Sequence, residues 1–402
     1  MKEANKDCIL TINVGSSSIK FALYEMGATL TRIYCGELEG IGTKKIQLNF
    51  ENYIKNHKVG VSVDLGEHDT GIAFVVDWLE KSADFDRIKV IGHRFVQGLS
   101  HTEPVIINKA LLNELYDISA FDPEHLPNEI KMIEKMSSQH PDIIQIACFD
   151  TSFHTTMPHV AKMLSIPRRY FALGIQKYGF HGLSYSYIMD ELKRTEGHSG
   201  SKGKIIIAHL GKGASMVAVK DGKSVDTSMG FTPASGLPMG TRTGDIDPGI
   251  ALYLMKTEDL LPHEFNDLIN HQSGMLGISE TSSDMRDLLD LEKTDIRAAQ
   301  AVELFCYQAR KWIGSFAAVL GGLDRLIFTG GIGENSPEIR ERICRDLQFL
   351  GVKIDNSKNK TNDGIISEIT AKVAVHVMKT DEQIMIAKLV CKVLDHTTNK
   401  KP

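Results

Sequence analysis

The sequence has few of the features that mark secreted, membrane-spanning or nucleic-acid-binding proteins. No apolar run approaches the ~20 residues that a membrane helix needs, and the N-terminal MKEANKDCILTINV contains no signal-peptide core. The formal net charge is only −5, so no nucleic acid and no membrane is expected as a partner. We therefore expect a cytoplasmic protein.

Cysteine is also scarce, and its spacing argues against a disulfide framework. The six cysteines are scattered without a CxxC pair, and Cys8 and Cys148 lie inside apolar, strand-like runs. Such cysteines are typical of buried thiols in a reducing compartment.

The bulk composition is that of an ordinary globular protein. Of the 402 residues, 42% are hydrophobic and 24% are charged, which is enough for a substantial core. A chain of this length exceeds what one core usually supports, so two domains are expected.

Glycine turns, in contrast, are concentrated in residues 205–249. An apolar run there turns through Gly211 and Gly213 into a second strand, and a loop with Arg242 follows. Glycine lets backbone N–H groups approach an anion closely, and an arginine fork can hold phosphate or carboxylate with two hydrogen bonds. A plain hairpin followed by a surface loop is the alternative. The density of Gly, Arg and Asp from Pro233 onward favours a phosphate site.

A similar hairpin lies near the N-terminus. Residues 8–14 form an apolar run that passes through Gly15 and three serines into an alternating strand with Lys20. This turn could hold phosphate oxygens, or it could be a serine-rich hairpin tip. The hairpin overlays the later one with Gly15 on Gly211. The repeat predicts a duplicated α/β domain whose two turns face each other across a cleft.

Polar residues end two other predicted strands. Residues 88–92 lead to Arg94, and residues 143–149 end at Asp150. A charged residue at the carboxyl end of such a strand tends to lie in a ligand crevice. Asp150 fits a magnesium ligand or a base, and equally a helix N-cap. Farther along, glycines flank the pair Phe180 and His181, which suggests a pocket, although a histidine satisfied by its surroundings is the common alternative.

A third glycine turn follows a strand-like run at residues 324–329. It reads GGIGEN at 330–335, and SPEIRERICRDL then begins a helix. Strand, glycine turn and helix form a nucleotide-binding arrangement, although each such motif is weak alone. The clearest helical spacings elsewhere cover 71–84, 108–119, 252–269 and 296–320.

Nine motifs, in order and at characteristic spacings, resemble the acetate kinase family of short-chain carboxylate kinases. They are TINVGSSSIKF, GHRFV, CFDTSFH, YGFHGLSYSY, HLGKGASM, TSMGFTPASGLPMGTRTGDIDPG, SDMRD, GGIGENS and TDEQIMIA. The resemblance spans essentially the whole chain, and the block at 226–249 is the most specific part. It implies two ribonuclease-H-like α/β domains joined by a hinge, as in the superfamily of acetate kinase, hexokinase, Hsp70 and actin, and usually a homodimer. The implied domains are 1–151 with 386–402, closed by the C-terminal helix, and 152–385, carrying most of the nucleotide site.

The resemblance also implies a reaction. The γ-phosphoryl group of ATP would pass reversibly to acetate, giving acetyl phosphate and ADP, with Mg²⁺ or with Mn²⁺ in its place. Propionate, or another short or substituted acid, is the alternative acceptor. A carboxylate is already ionised near neutral pH and needs no general base. Asp150 is therefore expected to orient magnesium or an arginine rather than to accept a proton.

Site residues follow from the resemblance by position. Asn13 and Glu382 would hold magnesium, while Asp150, His181 and Arg242 would be catalytic. The acid would contact Arg94, Val96, His125, Phe180 and Pro233. The nucleotide and its phosphates would contact the largest set: Ser16, Ser18, Lys20, His209, Leu210, Gly211, Lys212, Gly213, Asp284, Met285, Arg286, Gly331, Ile332, Gly333, Glu334 and Asn335.

Several positions depart from the family pattern: Gln97 stands where a histidine is common, and Ala234 and Ser235 replace a usual Leu-Glu pair. Two further departures bear directly on the nucleotide and acid sites. Lys212 stands where the family usually has asparagine, and it would either reinforce phosphate binding or project into solvent. Glu124 stands where an apolar side chain usually lines the acid pocket. A carboxylate there would select a polar acid, or the loop is turned so that Leu126 faces inward. We favour the second reading, because an unpaired buried carboxylate is costly.

Rival functions belong to other classes. A nucleotide-binding protein without catalysis is disfavoured, because binding alone does not require Arg94, Asp150, His181 and Arg242 together. A kinase that uses pyrophosphate is disfavoured by the GGIGEN turn, whose glycines leave room for adenosine.

Overall fold

The computed structural model divides the chain into two compact units. Unit 1 comprises Met1–Ser152 with Asp381–Pro402, and unit 2 comprises Phe153–Thr380. The residues that the structure describes are 6–15, 17–42, 45–65, 70–99, 101–119, 122 and 124–398.

Unit 1 is built on an eight-stranded sheet. Its strands are β1 Cys8–Val14, β2 Ser18–Glu25, β3 Thr31–Glu39, β4 Ile46–Asn52, β5 His57–Val63, β6 Ile88–Phe95, β7 Val105–Ile106 and β8 Ile144–Phe149, in the order β5-β4-β3-β2-β1-β6-β8-β7. The strands from β5 to β1 are antiparallel, whereas β6 runs parallel to β1, and β8 runs parallel to β6. Every residue of β1 is buried, as its continuous apolar run predicts.

Four helices complete unit 1: α1 Gly71–Glu80, α2 Lys109–Asp117, α3 Leu126–Gln139 and α15 Glu382–Thr398. The main core joins side chains of β1, β2 and β3 to the apolar faces of α1 and α3. The C-terminal helix α15 contacts β1 and β6, so the two ends of this unit's sequence pack together.

Unit 2 has a five-stranded sheet. Its strands are β9 Lys204–Leu210, β10 Ala214–Lys220, β11 Lys223–Thr227, β12 Arg325–Thr329 and β13 Ala374–Val377, in the order β11-β10-β9-β12-β13. The helices are α4 His159–Lys162, α5 Arg168–Ala172, α6 Gly182–Glu196, α7 Pro248–Thr257, α8 Pro262–His271, α9 Gly274–Ser279, α10 Met285–Leu291, α11 Ile296–Leu320, α12 Gly330–Asn335, α13 Pro337–Cys344 and α14 Asn356–Lys360. Side chains of α6 pack on β9, β10 and β12 to form one core.

The two sheets share one plan. In each, a hairpin gains a third antiparallel strand on one side and a parallel strand on the other, giving β3-β2-β1-β6 in unit 1 and β11-β10-β9-β12 in unit 2. The predicted α/β class with a duplicated architecture is therefore confirmed. None of the helices in the described ranges combines the length and the apolar character that crossing a membrane requires.

The predicted helices agree with the structure except at one place. The helix predicted at 296–320 is confirmed as α11, which begins after the N-cap Asp295 and ends at Gly321 in the left-handed region. The single helix predicted at 252–269 is wrong. Two helices, α7 and α8, occupy that segment, because Pro262 cannot continue a helix and instead begins the second one.

Gly92 of β6 lies against helix α15, and substituting it tests how closely this strand and helix pack. A Cβ atom on Gly92 of β6 would lie 2.6 Å from Ile386 and 2.7 Å from Val390 of α15, whereas a Cβ atom on Gly314 of α11 would contact nothing within 4 Å. Gly92→Ala should therefore lower the free energy of unfolding by about 1–3 kcal/mol through overpacking. Gly314→Ala, the matched control, should raise it by about 0.5–1 kcal/mol through helix propensity. Urea unfolding followed by circular dichroism measures both, and a Gly92→Ala protein as stable as wild type would contradict the close packing.

Candidate active site

The polar centre of unit 1 lies where β1, β6 and β8 end. Because these neighbouring strands are parallel, their carboxyl ends meet at one edge of the sheet. Arg94 donates to Asp150 Oδ2 from Nε at 3.0 Å and from Nη2 at 2.6 Å, and it donates from Nη1 to Asn13 Oδ1 at 3.1 Å. Asp150 is 0% exposed. Burial alone would lower the pKa of Arg94, but the charges of Asp150 and Glu382 raise it above its ordinary value.

Glu382 joins this centre from the start of α15. Asn13 Nδ2 donates to Glu382 Oε2 at 3.4 Å. Burial raises the pKa of Glu382, and Asp150 raises it further, while Arg94 and Lys20 act in the opposite direction. Asp381, the preceding residue, forms an ion pair with Arg32 of β3 and accepts from Ile384 N at 3.0 Å, which fixes the first turn of the helix.

Oxygen atoms of Asn13, Asp150 and Glu382 are the ligands that a hard cation such as Mg²⁺ prefers. Burial is the first cause of the raised pKa of Glu382 and the charge of Asp150 adds to it, so a cation bound here would favour the ionised carboxylate. Among the described residues no group of three or more His, Cys, Asp or Glu side chains could hold a metal by itself. The set therefore fits Mg²⁺ bound through one or two carboxylates, with water and substrate oxygens as the other ligands.

A second group of carboxyls lies beside the acid-binding candidates. The His125 ring is hydrogen-bonded through Nδ1 to Asp122 Oδ1 at 2.8 Å, and Glu129 Oε1 accepts from Val96 N at 3.2 Å. Glu129 is buried, and burial followed by the charge of Asp122 raises its pKa well above the ordinary range. Both Glu129 Oε2 and Asp122 Oδ2 are buried without a hydrogen-bond partner among the described residues.

Glu124 and Leu126, in the segment that departs from the family pattern, differ in how deeply they are buried. Leu126 is fully buried and packs in a core with Phe95 and Phe149, whereas Glu124 is only partly buried. Leu126 therefore faces the core of unit 1, while the lining of the acid pocket stays a prediction.

The serine turn of unit 1 is only partly described. Gly15 N donates to Ser18 O at 2.7 Å, which closes the turn before β2. Ser16 lies outside the described residues. Lys20 is half exposed and pairs with Glu37 at 3.5 Å, and its charge also lowers the pKa of Glu382.

In unit 2 the hairpin turn between β9 and β10 brings several candidates together. A Cβ atom on Gly213 would lie 3.3 Å from His181 Nε2 and 3.9 Å from Arg242 Nη1, so both side chains lie against this turn. Arg242 Nη1 also donates to Pro233 O at 3.4 Å. The backbone of His181 has a φ of 58°, a left-handed conformation that costs a residue other than glycine roughly 1–2 kcal/mol. Strain of this kind is concentrated at functional sites.

The GGIGEN segment, predicted as a glycine turn, forms the short helix α12, and its first residues lie beside the β9–β10 turn. A Cβ atom on Gly211 would be 3.8 Å from Gly331 N, and one on Gly330, whose φ is 77°, would be 2.7 Å from Leu210 O. Only glycine fits such an approach. Glu334 Oε1 accepts from Gly330 N at 2.9 Å, so this carboxylate stabilises the turn from within.

The other predicted nucleotide contacts differ in accessibility. Lys212, Arg286, Gly331 and Asn335 are exposed, whereas the side chains of Leu210 and Met285 and the backbone of Gly333 are buried. Phe180, a predicted acid contact, is buried as well. Arg286 pairs with Asp284 at 2.6 Å. This hydrogen bond is the main cause of the lowered pKa of Asp284, with Lys212 contributing. Ile332 is partly buried beside Gly331.

Several polar residues of these centres have no counterpart in the sequence predictions. In unit 1 they are Asp122, Glu129, Arg32 and Asp381. In unit 2 they are Ser184, which contacts His209, Ser215, which contacts His181, and Tyr185, which contacts Ser215. The one available signal was Glu129, a charged residue among the apolar positions of α3.

Glu129→Gln should stabilise the protein, and the gain should grow as the pH rises. The pKa of Glu129 is raised in the folded state, so above about pH 4.3 the unfolded chain releases this proton before the folded protein does. Wild-type stability therefore falls as the pH rises toward the folded pKa. Glutamine does not titrate and keeps an acceptor for Val96 N. Urea midpoints at about pH 5 and about pH 8 test this, with the exposed Glu134→Gln on the same helix as control. A Glu129→Gln gain that is equal at both pH values would contradict the argument.

Comparison with known proteins gives full-length matches. Residues 8–388 match the model of the Acetokinase family. The chain is 40% identical to an acetate kinase of Rhodopseudomonas palustris (strain TIE-1), covering 97% of this chain and 99% of that one. It is 43% identical to an acetate kinase of Thermoanaerobacterium thermosaccharolyticum, covering 94% and 97%.

Solved structures agree with this result. The crystal structure of Porphyromonas gingivalis acetate kinase matches with a TM-score of 0.84 and 35% identity over 96% of this chain and 100% of that one. A propionate kinase from Francisella tularensis subsp. tularensis SCHU S4 matches with a TM-score of 0.87 and 37% identity over 95% and 98%. The motifs, the duplicated sheets and these matches agree over nearly the whole length, and the chain belongs to the acetokinase family.

Proposed function

We propose that this protein is an acetate kinase, a phosphotransferase whose acceptor is a carboxyl group. It transfers the γ-phosphoryl group of ATP reversibly to acetate and forms acetyl phosphate and ADP. The observation that carries the proposal is the full-length identity of about 40% to acetate kinases, with Arg94, Asp150, His181 and Arg242 all present. A protein that only binds nucleotide would not need these four side chains.

Unit 1 supplies the groups that suit an acid substrate. Arg94 is held in place by Asp150 and Asn13 through three of its five N–H donors, and a guanidinium binds carboxylate well. Val96 and His125 are the other proposed acid contacts of this unit. The carboxylate needs no base, because it is ionised near neutral pH. Asp150 accordingly orients Arg94 and takes no proton from the substrate.

Unit 2 supplies the groups that suit the phosphoryl donor. The turns at Gly211–Gly213 and Gly331 lie together, and backbone N–H groups at such turns bind phosphate. His181 and Arg242 lie against the first turn and would stabilise charge on the transferred group. Removing one such donor commonly costs about 3–4 kcal/mol of barrier. Phe180 and Pro233 remain proposed substrate contacts from the family resemblance.

Magnesium, or manganese in its place, is part of the proposal. Asn13, Asp150 and Glu382 would hold it, and its chemistry is to neutralise charge on the phosphate oxygens. The residues themselves orient the site: Asn13 contacts both Arg94 and Glu382, and the ion pair of Arg32 with Asp381 fixes the helix turn that carries Glu382.

Trapping of acyl phosphate by hydroxylamine tests the activity. With ATP and Mg²⁺, acetate or propionate should turn over best in a panel that includes butyrate and hydroxy or amino acids, because Leu126 and not Glu124 is buried. Propionate is the second candidate, since one similar structure is that of a propionate kinase. Arg94→Gln should lower kcat/KM about 10²–10³-fold, whereas the exposed Arg169→Gln should not change it. Preference for a polar acid would point to Glu124, and no product from any acid would favour a non-catalytic nucleotide-binding protein.

We further propose that the protein is a homodimer through the face of α7 and α8. No residue of α7 is buried, and Leu252 and Tyr253 are 59% and 65% exposed, with Ile250 and Leu261 also exposed. Apolar residues clustered in this way usually mark a protein interface.

Sedimentation equilibrium tests the dimer. The substitution Leu252→Glu places a charge in the proposed apolar interface and should convert the dimer to monomer. Phe349→Glu changes an equally apolar, exposed residue elsewhere in unit 2 and should leave the dimer intact. A monomeric wild type, or a dimer that survives Leu252→Glu, would exclude this face.

We place the protein in the cytoplasm. All six cysteines are free thiols, and four of them are buried. Thiols are kept reduced in that compartment.

A further inference from the structure

Two histidines of unit 2 are stacked, and each is anchored by a hydroxyl group. The rings of His181 and His209 lie 4.3 Å apart at an angle of 21°. His181 Nδ1 lies 2.8 Å from Ser215 Oγ, and Ser215 Oγ is also hydrogen-bonded to Tyr185 Oη. Both Ser215 and Tyr185 are fully buried. The proposed function uses His181 but gives these two hydroxyls no task.

The direction of the hydrogen bonds follows from the acidities of the groups. A phenol is a far stronger hydrogen-bond donor than an alkyl hydroxyl. Among Tyr185, Ser215 and His181, the unprotonated nitrogen of the imidazole is the best acceptor. These strengths favour a relay in which Tyr185 donates to Ser215 and Ser215 donates to His181 Nδ1. Hydrogen bonds that run in one direction polarise and strengthen one another. A neutral imidazole that accepts at Nδ1 carries its proton on Nε2.

His154, another histidine of unit 2, also has a serine hydroxyl at Nδ1, and its second hydrogen bond indicates which nitrogen carries the proton. His154 Nε2 lies 3.0 Å from Phe180 O, and its Nδ1 lies 3.1 Å from Ser224 Oγ. Because a carbonyl only accepts, Nε2 carries the proton, and the neutral ring accepts from Ser224 at Nδ1. His209 is held similarly, with Ser184 Oγ 2.9 Å from its Nδ1.

The stacking gives a reason for a neutral ring. Two imidazolium ions at this separation would repel each other, and Arg242 adds a further positive charge at the same turn. The charged or titratable groups that face His181 include His209 from β9, Arg242 from the loop after β11 and Tyr185 from α6 itself. A neutral ring with a proton on Nε2 still donates a hydrogen bond, and Nε2 is the atom nearest the Gly213 turn.

We propose that Tyr185 and Ser215 are positioning residues that hold His181 as the neutral tautomer with its proton on Nε2. The catalytic consequence rests on the proposed function: His181 donates to the transferred phosphoryl group without first having to be protonated. The rate therefore does not depend on imidazolium, which is lost as the pH rises through the neutral range.

Kinetics of Tyr185→Phe and Ser215→Ala test the consequence. Each should lower kcat in proportion to the fraction of His181 that loses its Nε2 proton, about two- to tenfold for a mixture of tautomers, while KM for acid and ATP changes less than about twofold, because the donor acts mainly in the transition state. An imidazolium ring carries a proton on both nitrogens, so the ratio of variant to wild-type kcat should rise as the pH falls from about 8 to about 6. Tyr187→Phe, a neighbouring tyrosine on α6, is the control and should behave as wild type. A ratio that is constant with pH would overturn the catalytic role.

Nitrogen NMR of ¹⁵N-histidine-labelled protein tests the tautomer without any assay of activity. The His181 signals, assigned by their loss in His181→Gln, should show a protonated Nε2 and an unprotonated Nδ1 in wild type, and a mixture of tautomers in Tyr185→Phe. A proton on Nδ1 in wild type, or an unchanged tautomer in Tyr185→Phe, would overturn the proposal. If wild type forms no acyl phosphate but shows the expected tautomer, then the proposed function fails and the tautomer assignment stands.

Discussion

A single arginine, buried at the carboxyl end of a strand, determines the electrostatics of unit 1. Arg94 meets the fully buried Asp150, and such a pair is costly to break because the partner left behind keeps a charge away from water. Carboxyl groups outnumber cations around it: the pKa values of Glu382 and Glu129 are both raised, by burial first and by neighbouring carboxylates in addition. The centre therefore favours positive charge, which a divalent cation would supply.

Unit 2 arranges its polar centre by different means. The turn at Gly211 and the start of α12 at Gly330 offer backbone N–H groups, which carry partial charge but no net charge, and hydroxyls anchor His181 and His209. Arg242 adds a cation at the β9–β10 turn. An anionic phosphate would meet donors that are already in place and need little reorganisation.

Helices and hairpins with a regular spacing of apolar residues could be predicted from the sequence. Side-chain contacts between segments far apart in the sequence could not. Helix α11 and the hairpins follow from the spacing of apolar residues around glycine or a cap, and Arg94 and Asp150 follow from the rule that parallel strands end together. The helical spacing places Glu129 among the apolar positions of α3, but its contact with Val96 of another segment has no local signal. Tyr185 and Ser215 lie 30 residues apart, and only the packing of α6 on β10 brings their hydroxyls into contact.

The duplication explains why the two centres stand at equivalent places in their own sheets. Strands β1 and β9 hold equivalent positions in the two sheets, and a hairpin turn follows each of them. Each also has a parallel neighbour, β6 beside β1 and β12 beside β9. The side chains at the carboxyl ends of β1 and β9 differ in their contacts. Asn13 of β1 contacts an arginine and a carboxylate, whereas His209 of β9 stacks on another histidine. Neighbouring parallel strands bring the residues at their carboxyl ends to the same edge of the sheet, whichever amino acids stand there. The shared architecture therefore accounts for where each centre lies, and the substitutions at the strand ends account for one becoming rich in carboxylates and the other rich in neutral donors.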